Sequence, residues 1–239
     1  MTIVQSNTAL VTPTLTQLVS DIRRSVTKEA IVTLASDPVN DIIVKAINDA
    51  VADIYYRNRW NWARAQGNII LVSGQSQYPL PADFRCMAME PVVNYVQIQE
   101  VPPEEWWRNT YTPSWNSNSA LGGQPSKYMV DMALLQFWPM PSDSFIAANP
   151  SIPIIYYRLP PARLTIAADA ANSPNVPPQF IELLECFGIG KLKVFLQYDD
   201  FAVDLKRYDD LLQNRIQIDM ISAHPTRMRP RNWRSANFG

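Results

Sequence analysis

The sequence predicts an α+β protein: an antiparallel helical bundle with a β-rich insertion and an extended C-terminal arm. Three observations predict it. Apolar residues recur at helical spacing behind proline-containing start signals near the beginning of the chain, and again from residue 177 onward. Between these regions lie short alternating runs separated by Pro, Ser, Asn and Gly. The last 18 residues carry four arginines and no acid. The expected divisions are 1–66 for the first bundle helices, 67–160 for the insertion, 161–221 for the later helices and 222–239 for the arm.

Taken in order, Thr12-Pro13 reads as a helix cap and first helical residue, followed by Leu15, Leu18, Val19 and Ile22. Ser36-Asp37-Pro38 is a second start. After it Ile42, Ile43, Ala46, Ile47, Ala50, Val51, Ile54 and Tyr55 define a long helix with a broad buried face. Trp60 and Trp62 follow as core residues where the helices meet the β region. Strands are expected at Asn68–Val72 and Gln77–Leu80, joined as a hairpin by Ser73-Gly74-Gln75-Ser76. Val96–Gln99 alternates, Tyr128–Asp131 and Leu134–Trp138 read as a second hairpin, and Ile154–Arg158 as a further strand. Pro102-Pro103-Glu104-Glu105 should open a short helix, because proline and acids suit a first turn. Residues 110–125 form a polar loop.

Helix resumes at Pro177-Pro178, with Phe180, Leu183, Leu184, Phe187 and Val194 on one side. Gly188 and Gly190 let a neighbouring helix approach closely. Asp199-Asp200 breaks and restarts the chain. The last helix carries Phe201, Leu205, Tyr208, Leu212, Ile216 and Met220 until Pro225 ends it.

Composition narrows the function classes. Hydrophobic residues are 47% and charged residues 18%, the balance of a folded chain. No run nears the roughly 20 apolar residues that cross a bilayer, and Met1–Thr12 has no basic residue ahead of an apolar run, so neither a membrane span nor a secretory signal is expected. Cys86 and Cys186 stand far apart, which suits a reducing compartment and offers no metal or disulfide framework. The single histidine, His224, sits at a helix end beside Pro225 and can complete no Ser-His-Asp or Cys-His arrangement. Asp199, Asp200, Asp204, Asp209 and Asp210 could hold a hard cation, but their placement fits a helix start and a wet face alternating with Lys206 and Arg207. No phosphate loop, dinucleotide fingerprint or zinc spacing occurs. The expectation is a protein with no catalytic residues, no metal and no cofactor.

The charge is unevenly spread. Arg227, Arg229, Arg231 and Arg234 take four of the 21 basic residues, leaving the rest of the chain with all 22 acids. Interleaved with Trp233 and Phe238, these arginines suit docking onto an acidic protein groove. They would equally suit phosphates and stacked bases, and a merely solvating end is a third reading. Trp106, Trp107 and Trp115, in or beside the polar loop, are candidates for an interaction surface, since exposed aromatics near a loop suggest an interface.

A series of short patterns then carries a resemblance. Trp60-Asn61-Trp62 closes the long helix, and Tyr78-Pro79-Leu80-Pro81-Ala82-Asp83-Phe84 follows the first strand. Pro125-Ser126-Lys127-Tyr128, Leu135-Gln136-Phe137-Trp138-Pro139-Met140-Pro141, Tyr156-Tyr157-Arg158 and Pro177-Pro178-Gln179-Phe180 continue the series. In order and spacing, over about residues 38–220, these resemble the head-to-tail adaptor (connector) proteins of tailed bacteriophages, especially those of short-tailed phages. The resemblance implies a structural virion protein of the neck, assembled in the host cytoplasm. It implies a homo-oligomeric ring, expected to be a dodecamer, beneath the portal protein, extending the DNA channel and offering a platform to the tail tube or nozzle. DNA would pass through without sequence-specific binding, and the C-terminal segment would reach the portal. The alternative is a nucleic-acid-binding accessory protein that uses the same tail.

Overall fold

The computed structural model describes residues 12–29, 31, 33–110 and 122–223. Its helices are α1 (Leu15–Thr27), α2 (Pro38–Arg57), α3 (Pro103–Thr110), α4 (Asp143–Ala148), α5 (Ile166–Asp169), α6 (Ile181–Phe195) and α7 (Phe201–Ala223). Its strands are β1 (Arg64–Ile70), β2 (Gln77–Pro79), β3 (Phe84–Met89), β4 (Val92–Val93), β5 (Val96–Gln97), β6 (Gln99–Glu100), β7 (Lys127–Asp131), β8 (Leu134–Trp138) and β9 (Ser151–Arg158). Two compact units emerge: the described residues up to Trp62 with those from Pro161 onward, and Ala63–Pro160. The fold class is α+β, as the sequence predicts.

In the helical unit, local chemistry sets the starts. α1 opens two residues after the expected Thr12-Pro13, because Thr14 is the residue that can close a reciprocal cap. Its hydroxyl accepts from the Gln17 N–H at 3.3 Å, and the Gln17 side chain accepts from the Thr14 N–H at 2.9 Å. α2 starts where expected: the Asp37 carboxylate accepts from the N–H groups of Val39 and Asn40, with Pro38 as first helical residue. Arg23 of α1 donates to Asp37 and to Asn40, pinning the end of one helix to the start of the next.

This cap makes a pH prediction. Burial opposes ionisation of Asp37, but the Asn40 N–H, then Arg23 and the Val39 N–H, outweigh it and hold the carboxyl below its ordinary value. A depressed carboxylate contributes stability above its unfolded pKa and loses it as pH falls through the folded value. Unfolding free energy should therefore drop below about pH 4. Asp37→Ala should cost about 1 kcal/mol at pH 7 and flatten part of that acid slope in denaturant titrations. An unchanged slope would rule Asp37 out as a contributor.

α6 is the central helix, packed against α1, α2 and α7. Ile22, Ile43, Ile47, Ile54, Leu184, Leu192 and Leu212 are all fully buried in this unit. The two α6 glycines do what their positions suggest. A β-carbon on Gly188 would stand 2.6 Å from the Ile22 side chain of α1, and one on Gly190 would stand 2.7 Å from Leu205 of α7. Each glycine opens one interface of the same helix. Gly188→Ala should destabilise the protein by about 1–3 kcal/mol despite alanine's better helix propensity, since overpacking a tight contact outweighs the intrinsic gain. Thermal unfolding checks the sign: a raised Tm would overturn this reading. Val194, expected on the buried side, is instead 46% exposed, in the last turn of α6.

The β unit contains a three-stranded sheet ordered β1-β9-β3, a four-stranded sheet ordered β2-β8-β7-β6 and a small β4-β5 ribbon. Ile152, Ile154 and Tyr156 point inward from β9 with period two and join Ile69, Tyr78, Ile98, Tyr128, Leu135 and Phe137 in one core. Tyr156 also donates to Asp83 at 2.8 Å; burial, then that carboxylate, pushes its phenol up to about 12. The Lys127–Asp131 and Leu134–Trp138 strands pair antiparallel, as the second expected hairpin requires. Register places Arg64 opposite Tyr157, so the unit's two ends lie side by side and can be spliced into another element.

The first expected hairpin does not form. The chain does turn at Ser73–Ser76, with Gly74 at φ 74° and the Gln75 N–H bonded to the Val72 carbonyl. Yet β1 starts at Arg64 rather than Asn68 and pairs with β9 over seven residues, while β2 pairs with β8. The inward face of β9 offers β1 a longer partner than three-residue β2 could. Val96–Gln99 is likewise divided. Val96-Gln97 pairs back on Val92-Val93 through Asn94 and Tyr95, both at positive φ, whereas Gln99-Glu100 pairs parallel to β7. Ile98 between them is fully buried and anchors the switch.

Candidate interaction surfaces

Each unit carries its own exposed apolar surface. In the helical unit one such surface is the corner from α6 to α7, where Val194, Phe195, Tyr198, Phe201 and Val203 are all 37–68% exposed; Ile218, Met220 and Ile221 are exposed near the end of α7. The corner is ordered by its own bonds. The Tyr198 N–H donates to the Lys193 carbonyl at 2.9 Å, and Gln197 takes a left-handed φ of 61°. Lys193 bridges Asp200 at 2.6 Å and Asp204 at 2.9 Å across the turn. Hydrogen bonds to Asp200 and then Asp204 raise the Lys193 pKa, and the same contact lowers that of Asp200. Aromatic rings held on a preformed turn lose little freedom when covered, which favours binding. Clustered exposed rings are the usual mark of a protein contact.

The corner was missed in the sequence because Val194 and Phe201 each fit a helical stripe. The signal was present nonetheless: Val194, Phe195 and Leu196 are consecutive and cannot all face one partner helix.

In the β unit, the β4–β5 ribbon ends on Tyr95, fully exposed at φ 65°, with Val92, Val96 and Met89 exposed nearby in sequence. A bulky residue in the left-handed region is held there against its own preference and directs its ring to solvent. Met132, at φ 53° and 94% exposed, occupies the tip of the β7–β8 hairpin in the same manner. Of the three loop tryptophans, Trp106 is 5% exposed and packs with Val101 and Met129, leaving Trp107, 41% exposed, as the outward member of the pair. Trp115 lies outside the described residues, as do Arg227, Arg229, Arg231, Trp233, Arg234, Phe238 and His224.

Of the clustered aspartates, Asp200 and Asp204 pair with Lys193, and Asp209 pairs with Arg57 at 3.7 Å. Among the described residues no group of three or more His, Cys, Asp or Glu could hold a metal ion. Burial pushes the Cys186 thiol up, the opposite of an activated nucleophile. Tyr208 is buried against Asp53, to which it donates at 2.7 Å, and its phenol stays protonated far above neutral pH through desolvation and then that bond. These groups hold structure together.

Comparison with known families settles the class. The model of the SU10 adaptor protein family matches residues 13–234, through both units and into the basic segment. The chain belongs to the SU10 adaptor protein family. It is a bacteriophage head-to-tail adaptor, a structural protein. The matched span includes Arg227, Arg229, Arg231, Trp233 and Arg234 and stops short of Phe238. No curated protein matches this adaptor. Among its described residues, no helix is long and apolar enough to cross a membrane.

Proposed function

We propose that this adaptor forms a homo-oligomeric ring, expected to be a dodecamer, beneath the portal protein. There it extends the DNA channel and presents a platform to the tail tube or nozzle of a short-tailed virion. The observation that carries the reading is the family match over residues 13–234, which spans both units and the start of the arm. Two features support it. The apolar α6–α7 corner gives each subunit a patch suited to a heterologous contact, in which one surface meets a different surface on the next copy. The charge division, an acidic body and a basic C-terminal arm, suits docking of Arg227, Arg229, Arg231, Trp233, Arg234 and Phe238 on the portal. In this reading the arginines stay with the protein partner, and DNA passes without specific binding. Trp107 and Trp115 belong to the tail-side or neighbour contact in this reading, whereas Trp106 is packed within its own unit. Electron microscopy of the protein mixed with purified portal tests the proposal. A new ring layer beneath the portal is the expected image; portal rings unchanged at saturating protein would overturn it.

A further inference from the structure

A groove of about 790 Å³ runs along the helical unit between the first half of α2 and the strap formed by residues 163–170. Its apolar lining comes from Leu34, Val44, Leu164, Ile166, Ala167 and Ala170. One wall is fixed. The Asn48 side chain donates to the Leu164 carbonyl at 2.9 Å and accepts from the Leu164 N–H at 2.8 Å, and Arg163 pairs with Asp49. Rigid walls around an apolar trough make a ready-formed receptor for an extended apolar segment.

The described chain begins beside this groove. The Thr12 carbonyl accepts from the Ser173 hydroxyl at 3.2 Å, and Thr16 donates both its N–H and its hydroxyl to the carbonyl of Ala170, a lining residue. The eleven residues ahead of Thr12, Met1 to Val11, carry no side-chain charge and include Ile3, Val4, Ala9, Leu10 and Val11. Extended, they reach roughly 35 Å, ample for a groove whose lip lies at their point of exit.

We propose that residues 1–11 of the same chain occupy this groove as an extended strap over α2 and residues 163–170. Charge and position select this occupant over the C-terminal arm. Of the groove's charged residues, Asp41, Lys45 and Arg163, two are cations, so four arginines would find little to neutralise them. The arm also departs from the wrong place. Asp219, near the end of α7, bonds Asn58 and Asn61 beyond the C-terminus of α2, roughly 15 Å along that helix from Asn48. A seated strap would bury apolar surface on α2 and tie the first helix to the 163–170 segment.

The test uses the full chain with Cys86 and Cys186 replaced by serine and alanine. A single cysteine is placed at Ala167, which lines the groove, or at Ala168, which is exposed outside the lining. Labelling by a small maleimide is then compared with and without Ile3→Asp, Val4→Asp and Leu10→Asp. The expected result is that the three aspartates speed labelling at position 167 by about tenfold and leave position 168 unchanged, at every protein concentration. Equal rates at 167 with and without the aspartates would overturn the proposal. So would protection at 167 that disappears on dilution, which would seat the segment on a second copy. As an independent check, Val4→Cys with Ala167→Cys should oxidise to a disulfide within one monomer; only disulfide-linked dimers would contradict it.

Discussion

Replacing Trp60 with alanine is expected to cost about 3–5 kcal/mol, a large share of the stability of a typical domain. Trp60 is 1% exposed and among the largest fully buried side chains in the protein. Its ring meets Phe180 edge-on at 4.9 Å between centroids and stacks beside Trp62 at 6.4 Å, while Trp62 in turn meets Tyr55 edge-on at 5.0 Å. The indole N–H donates to the carbonyl of Ile54 in the last turn of α2, where carbonyls lack helical partners. One side chain thus ties the end of α2 to the turn that opens α6. Alanine would leave a cavity bounded by rings too rigid to collapse into it, and would leave the carbonyl without its donor. Trp60→Phe keeps an aromatic plug and should lose less. Denaturant unfolding of the two variants measures both; a loss below about 1 kcal/mol for the alanine variant would show that the cluster relaxes.

The second large effect is functional. Removing Met228–Gly239 takes away Arg229, Arg231, Trp233, Arg234 and Phe238 without touching a described residue. The truncated protein should unfold within about 0.5 kcal/mol of the full chain and yet fail to join the portal in a pull-down or by microscopy. Trp233→Ala alone should weaken binding by about 2 kcal/mol, roughly thirtyfold, as a buried aromatic anchor does. Charge reversal of the arginines should act more strongly at low salt, because exposed pairs are screened. A truncation that attaches normally would sink the docking role of the arm. It would leave the ring itself to be judged by whether a new layer forms.

Much of the helical unit was legible in the residues. Asp37-Pro38 states a helix start in two letters, since one residue supplies the cap and the next a pre-set backbone angle. Ile43, Ile47, Ala50 and Ile54 repeat at the period of the helix they build. Gly188 and Gly190 also read correctly, because a glycine pair inside an apolar helix has few uses other than close approach. The start of α1 was misplaced by two residues, as the threonines on either side of Pro13 compete for the cap and only Thr14 has glutamine three residues on.

The β unit was legible as strands and only partly as pairings. Turn chemistry at Ser73–Ser76 is real, but a turn states only that the chain reverses. Which strand lies beside Arg64–Ile70 depends on the inward face of Ser151–Arg158, more than eighty residues away. The two-residue tip Asn94-Tyr95 was hidden because the alternation of Val96–Gln99 runs through a change of partner.

Periodicity, caps, glycine placement and charge distribution by themselves determined an α+β chain of helices flanking a β-rich stretch, and the order of its patterns pointed to a phage adaptor. These are local properties, written in neighbouring residues. Tertiary structure alone decided which strands pair, that Trp106 is packed while Trp107 faces out, and that Phe195, Tyr198 and Phe201 are left uncovered at a helix corner. The physical reason is common to all three. Whether an apolar side chain is core or contact surface depends on what else the chain brings to it, and no window of sequence contains that partner.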